Sequence, residues 1–139
     1  MNRKIRFLGT GAGDFIQEAS PYNPPDYAEK VAGITGRDLR RAASTLLGDD
    51  ILIDHNSDVV FRDQGIDPSG IRHLHITHGH FDHLNPLAIC DLAIRLKHPL
   101  TIYGSVMTAH SMAFAATHRW DAEQKRTVRN ERPAPFTMQ

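Results

Sequence analysis

The apolar positions of this chain change period several times, and each change marks an element. Ile5, Phe7 and Leu8 are too few for a helix and read as a short strand, ended by Gly9-Thr10-Gly11-Ala12-Gly13. From Asp14 to about Asp38 the periodicity lapses, and Pro21, Pro24 and Pro25 break any helix, so residues 14–38 read as one long irregular loop. Ser44–Leu47 and Ile51–Asp54 pair as a hairpin across Gly48-Asp49-Asp50. Asn56 or Ser57 caps a short helix that carries Val59, Val60 and Phe61 and ends near Gly65. Ile71–Thr77 is another strand. Asn85 followed by Pro86 opens a helix, since proline in the first turn loses no needed donor. Its Leu87, Ile89, Cys90, Ala93, Ile94 and Leu96 suit packing on a sheet, and His98-Pro99 closes it. Leu100–Tyr103 is one more strand, and Ser105 caps a helix through Val106, Ala109, Met112, Ala113 and Ala116. Residues 119–139 form a mixed-charge tail, read as a solvated helix face and a frayed terminus.

Strands alternating with helices make this an α/β chain, and 139 residues with 40% hydrophobic side chains suit one domain, residues 1–139. Sixteen basic and sixteen acidic side chains cancel, which argues against broad electrostatic capture of nucleic acid or anionic membrane. No apolar run approaches the roughly 20 residues that cross a bilayer, so no membrane partner is expected. Gly9, Gly11 and Asp14 interrupt the basic start before a signal-peptide core develops. The one cysteine, Cys90, excludes an internal disulfide framework and reads as a buried, inert thiol. A cytoplasmic location follows as the default.

The densest chemistry lies at the end of the Ile71–Thr77 strand, in the run His78-Gly79-His80-Phe81-Asp82-His83. Four metal-ligand side chains in six residues are hard to explain as packing. Imidazole and carboxylate together suit zinc, iron or manganese, and a three-ligand site with an open position is the arrangement of catalytic metals. Residues two apart in an extended segment point the same way, so His78 and His80 can clasp one ion while a turn aims Asp82 and His83 at a second. Thr77 is a candidate to hydrogen-bond a ligand from behind, and Asp54, at a neighbouring strand end, to orient a ligand histidine. The remaining histidines read as bland. His73 and His75 are strand residues, His55 a solvated strand end, and His110 and His118 lie eight apart on the last helix's surface. His98 sits near a helix's negative pole. Gly9, Gly11 and Gly13 do not make a dinucleotide fingerprint, because position 14 is aspartate where the third glycine is needed.

Thr77 to His83, T-H-G-H-F-D-H, resembles the T-H-x-H-x-D-H signature of the metallo-β-lactamase superfamily of metal-dependent hydrolases. Ile5 to Gly13, I-R-F-L-G-T-G-A-G, is similar to the opening strand and glycine turn of its ribonuclease Z and cyclic-phosphodiesterase branches. Arg40 to Leu47, R-R-A-A-S-T-L-L, and Ile51 to Asp54, I-L-I-D, resemble the next strands, with His55-Asn56 in place of the usual glycine turn. The resemblance implies an αββα sandwich represented by its first half, one mixed sheet with covering helices. It implies two divalent ions, zinc first and manganese or iron in its place, with His78 and His80 on one ion and His83 and Asp82 on the other. Asp82 would also orient the nucleophile. The substrate would be a small molecule or a phosphodiester, nucleic acid included. The family's later histidines and bridging aspartate have no counterpart after His83. A truncated, inactive half is therefore the alternative reading, as is an interaction module completed by a copy of itself or by a missing second half.

Overall fold

The computed structural model describes residues 4–11, 26, 34 and 41–139, with the backbone alone at Trp120. The expected loop over 14–38 lies outside the described residues except at Asp26 and Ile34. In chain order the elements are β1 (Ile5–Gly9), β2 (Ser44–Leu47), β3 (Ile51–Ile53), helix α1 (Val59–Asp63), β4 (His73–His75), α2 (Pro86–Arg95) and β5 (Leu100–Tyr103). They continue with α3 (Val106–Thr117), β6 (His118–Asp121), β7 (Arg126–Arg129) and β8 (Phe136–Met138). Six strands form one mixed sheet in the order β1-β2-β3-β4-β5-β8. β1, β2 and β3 are antiparallel neighbours, whereas β3, β4, β5 and β8 run parallel.

Local chemistry sets the element ends. Gly48 takes φ 63° in the β2–β3 turn, a left-handed conformation that costs glycine little. Asn85 caps α2 by accepting from the Ala88 amide at 3.3 Å, and Ser105 caps α3 through the Thr108 amide at 3.3 Å. The N-terminal flank of α1 is Asp58, which makes no capping bond, although Ser57 Oγ accepts from Val59 N at 3.4 Å.

The period of two then divides the sheet into unlike faces. Leu46, Leu52, Leu74 and Ile102 are in register across β2–β5, and each is at most 1% exposed beneath the helices. α2 covers this face with Ile89, Cys90, Leu92 and Ala93, and α3 with Met112, Ala115 and Ala116. Leu87 and Ile94, read from sequence as packed, are each 62% exposed, because they lie on the outer side of α2. On the opposite face Ile5 aligns with Leu47 and Ile51, and Phe7 with Thr45 and Ile53. The same rows continue through His73 and Thr101 and through His75 and Tyr103. No Lys, Arg, Asp or Glu occupies a paired position in these rows.

The tail departs from expectation. β6 and β7 pair as an antiparallel hairpin instead of extending a helix. Its turn is held by Asp121, whose Oδ1 accepts from the amides of Glu123 at 3.0 Å and Gln124 at 2.9 Å. His118 therefore starts a strand and shares no helix face with His110. The supposed frayed end is β8, which adds to the sheet edge beside β5 and packs Phe136 and Met138 on the core. Beyond the helix end, His98 Nε2 meets the Ser69 carbonyl at 3.1 Å. Among the described residues no helix is long and apolar enough to cross a membrane.

Candidate metal centre

Two parallel neighbours, β3 and β4, end side by side, and the chemistry collects at that end. The Asp54 amide donates to the His75 carbonyl at 2.8 Å, and Ser44 Oγ donates to the Asp54 carbonyl at 2.9 Å. Asp54 itself turns to φ 58°, a left-handed conformation that aspartate tolerates better than most residues. The strand thus ends at Ile53, and the buried Asp54 carboxylate swings toward the loop after β4. It accepts from Thr77 N at 2.8 Å, from Thr77 Oγ1 at 2.9 and 3.1 Å, and from His83 Nδ1 at 2.7 Å.

These partners settle the proton positions on two imidazoles. A carboxylate only accepts, so His83 carries a proton on Nδ1, and in the neutral ring Nε2 is the nitrogen with the lone pair. Thr77 Oγ1 gives its single proton to Asp54 and accepts from His78 Nδ1 at 2.9 Å, so in the neutral ring the His78 lone pair is on Nε2 too. His83 Nε2 lies 3.3 Å from Asp82 Oδ2, and His78 Nε2 lies 3.1 Å from His80 Nδ1. Neighbouring ligands about 2.0–2.1 Å from a tetrahedral ion sit about 3.3 Å apart, so each pair has the spacing of two donors on one ion. The pairs adjoin, with the His78 and His83 ring centroids 4.0 Å apart. His78 and His80 are exposed, His83 is half-buried and Asp82 is 6% exposed. Among the described residues, however, no group of three or more His, Cys, Asp or Glu side chains converges on one point. The two pairs have ligand spacing, but among the described residues neither is a complete ligand set.

Three further residues hold the loop, and sequence reasoning missed them. Asn56 Nδ2 donates to the Phe81 carbonyl at 2.6 Å, His55 N donates to the His83 carbonyl at 2.9 Å, and Asn85 N donates to the His55 carbonyl at 3.1 Å. No periodicity announces such bonds. The position of His55-Asn56, directly after the strand-end aspartate, was the available signal. His55 is also not solvated. Its ring is fully buried, stacks on Phe61 at 5.3 Å and bonds Asp58 Oδ1 through Nε2 at 3.0 Å. Among the described residues its Nδ1 has no hydrogen-bond partner. Burial raises the pKa of Asp58, but bonding and charge from His55 and then Arg95 outweigh it and hold the carboxyl below its ordinary value. The Asp58–Arg95 ion pair ties this corner to α2.

The other histidines lie apart from the cluster. His75 stacks on Tyr103 with centroids 4.4 Å apart, and His73 Nδ1 meets the Tyr103 hydroxyl at 3.4 Å. Burial, with a smaller contribution from Asp91, pushes the Cys90 thiol up to about 11, so it is inert near neutral pH. Two open clefts, of about 660 and 840 Å³, lie away from the histidine loop, one between α2 and the β6–β7 hairpin and one beside Lys4, Phe7 and Asp49.

No protein-family model matches the chain, and no curated protein matches it in sequence. Among solved structures it is similar to human tRNase Z, short form, with a TM-score of 0.53 and 20% identity over 96% of this chain. The match spans 43% of the human enzyme, less than half its length. At that identity the likeness concerns the fold alone, and the six-stranded mixed sheet with its helices is a partial metallo-β-lactamase-like fold.

Proposed function

We propose that this chain carries the histidine-loop half of a metal-dependent hydrolase of the metallo-β-lactamase type, with phosphodiesters as the favoured substrate class. The observation that supports it is the Asp54 carboxylate, which fixes the His83 tautomer at 2.7 Å while binding Thr77 through both backbone and hydroxyl. Metal-ligating histidines almost always receive such a partner on the other ring nitrogen. His78 and His80 would hold one divalent ion, and Asp82 and His83 a second, zinc being favoured by the imidazole-rich set. The chemistry such ions would supply is a bound water acidified enough to yield hydroxide near neutral pH, and positive charge beside the oxygen that becomes an anion. The chain's own residues do the positioning. Asp54 keeps the His83 Nε2 lone pair facing inward, Thr77 does the same for His78, and the Asn56 and His55 bonds limit how far the loop can open. Asp82, buried beside His83, would orient an attacking water.

A second reading has its own support. With two donors per pair and no convergent third among the described residues, the chain by itself would bind metal weakly and turn over nothing. One purified sample decides between them, assayed for metal content and for bis(p-nitrophenyl) phosphate hydrolysis beside a His80→Ala, Asp82→Ala variant. Near two metals per chain, with turnover at least 100-fold above the variant, is expected if the ligand set is completed. Stoichiometric metal and equal turnover in both proteins would overturn the hydrolase reading. Little metal and no turnover would establish the second reading for the isolated chain.

A further inference from the structure

Two consecutive residues at the end of β3 close the base of the histidine loop, and the second of them, His55, has a side chain that the metal chemistry leaves unused. Asp54 N donates to the His75 carbonyl at the loop's entry, at 2.8 Å. His55 N donates to the His83 carbonyl at its exit, at 2.9 Å, and the His55 carbonyl accepts from Asn85 N at 3.1 Å. The pairing is a parallel bridge between His55 and Leu84. Inside the loop, His83 N and Leu84 N close a turn on the His80 carbonyl at 3.0 and 2.8 Å. The place of the His55 backbone therefore sets the span between the loop's two ends. These bonds use only the main chain, which any residue but proline supplies. The ring is what histidine adds. It is fully buried, stacks on Phe61 and bonds Asp58 Oδ1 through Nε2 at 3.0 Å. Among the described residues its Nδ1 has no hydrogen-bond partner. A buried nitrogen without a partner is destabilising, so packing alone would favour phenylalanine here.

We propose that His55 is a positioning residue for the histidine loop, its ring anchored on Asp58 so that its backbone holds the loop's exit in place. The need for an anchor comes from the strand end. β3 stops at Ile53 and Asp54 turns to φ 58°, so regular strand pairing does not extend to residue 55. Asp58 is a firm post, because α1 begins at the next residue and Arg95 of α2 holds its other carboxylate oxygen. A line of contacts thus runs from Arg95 through Asp58 and the His55 ring to the His83 carbonyl. Asn85, which caps α2, closes it from the other end of the same helix. A ring without Nε2 would fill the space and leave the backbone bridge untethered. His83 and its neighbour Asp82 adjoin that bridge, so the ligand pair they form should feel the loss first. The inference rests on the hydrolase reading only for its effect on zinc. Closure of the loop is measured without metal, so the two can fail separately.

Amide hydrogen exchange on the metal-free chain tests it, with His55→Phe and His55→Gln beside wild type. Phenylalanine keeps the stacking and loses the Asp58 bond, whereas glutamine carries an amide donor at a reach similar to Nε2. In His55→Phe the His83, Leu84 and Asn85 amides should exchange about tenfold faster, while those of β3 and β4 stay within about twofold. His55→Gln should restore most of the loop's protection. Equal loop protection in wild type and His55→Phe overturns the proposal. Loop and sheet amides speeding up by one common factor overturn it too, because His55 is then a core residue only. Zinc affinity, read by chelator competition, should fall about tenfold in His55→Phe and recover in His55→Gln, the low end of the loss for groups that support a ligand from behind. Zinc bound equally by wild type and His55→Phe overturns the positioning role. A wild type that binds no zinc counts against the hydrolase reading alone, since the exchange result stands without it. Should the variants fail to fold by circular dichroism, exchange on wild type in rising urea gives the second readout. The His55 and Asn85 amides opening as one unit, ahead of β3 and β4, support the bridge, and separate opening overturns it.

Discussion

The two faces of the sheet are built from the same strands, one residue apart, and they differ in what they ask of their surroundings. Leu74 and its row are sealed at 1% exposure or less under α2 and α3. Ile51, Ile53 and Tyr103, on the alternate positions, are half-buried. Burial of a leucine side chain is worth about 1.5–3 kcal/mol, so the covered face holds the fold and the bare face contributes much less in an isolated chain. Leu74→Ala should therefore cost about 2–5 kcal/mol in urea unfolding, transfer and cavity terms together. Ile51→Ala should cost less than half of that. Equal losses would break the contrast and mean that the second face is covered in the folded chain.

The end of β3 sharpens the comparison, because there the alternation gives way to chemistry. Asp54 follows Ile53 but leaves the strand at φ 58°, and its two oxygens divide between Thr77 and His83. Asn tolerates the same backbone, so Asp54→Asn should leave the sheet intact. An amide, however, has one acceptor where the carboxylate has two. If its nitrogen faces His83, that ring must carry its proton on Nε2, and the lone pair beside Asp82 is lost. Zinc affinity, read by competition with a chromophoric chelator, should fall about 10–100-fold, the usual loss when a residue behind a metal-binding histidine is removed. An unchanged affinity would detach Asp54 from the metal loop's function and leave it as a strand-end brace. This loss is smaller in free energy than that of Leu74, yet it falls on binding and not on folding.

What could be read in advance follows from the range over which each force acts. The hairpin across Gly48, the Asn85-Pro86 and Ser105 helix starts and the histidine run depend on neighbours in sequence, and each was legible there. The partial metallo-β-lactamase-like fold was implied by the family resemblance of Thr77–His83, Ile5–Gly13, Arg40–Leu47 and Ile51–Asp54. The Asp54 contact to His83, 29 residues away, was legible only as a candidate, since strand pairing decides it. β8 was missed because Phe136, Thr137 and Met138 are too few to show a period, and the sheet edge beside β5 supplies the order. The β6–β7 hairpin was missed because its mixed charges lack alternation, although Asp121 two residues before Glu123 is a turn signal. His55 was misjudged because burial belongs to the site, with Phe61 and Asp58 brought over it by α1.

That corner yields the smallest effect and the most specific one. Asp58 joins His55, α1 and, through Arg95, α2 at the edge of the covered face, and the bare face has no counterpart among the described residues. Its carboxyl is held below the ordinary value, so the folded chain binds its proton less readily than the unfolded chain does. The stability this supplies is fully present above the unfolded value of about 3.9 and is lost as pH falls through the folded value. Asp58→Asn removes that dependence. Urea midpoints should therefore show wild type ahead of the variant at about pH 6, with the gap closing toward about pH 2. Because the Asp58 side chain is 31% exposed and that of Arg95 53%, solvent screens the pair, and the gap should remain well below the Leu74 loss. A gap that stays constant with pH would mean that Asp58 acts through packing alone. A gap that widens in acid would reverse the sign of the linkage and place the stabilising charge elsewhere on the covered face.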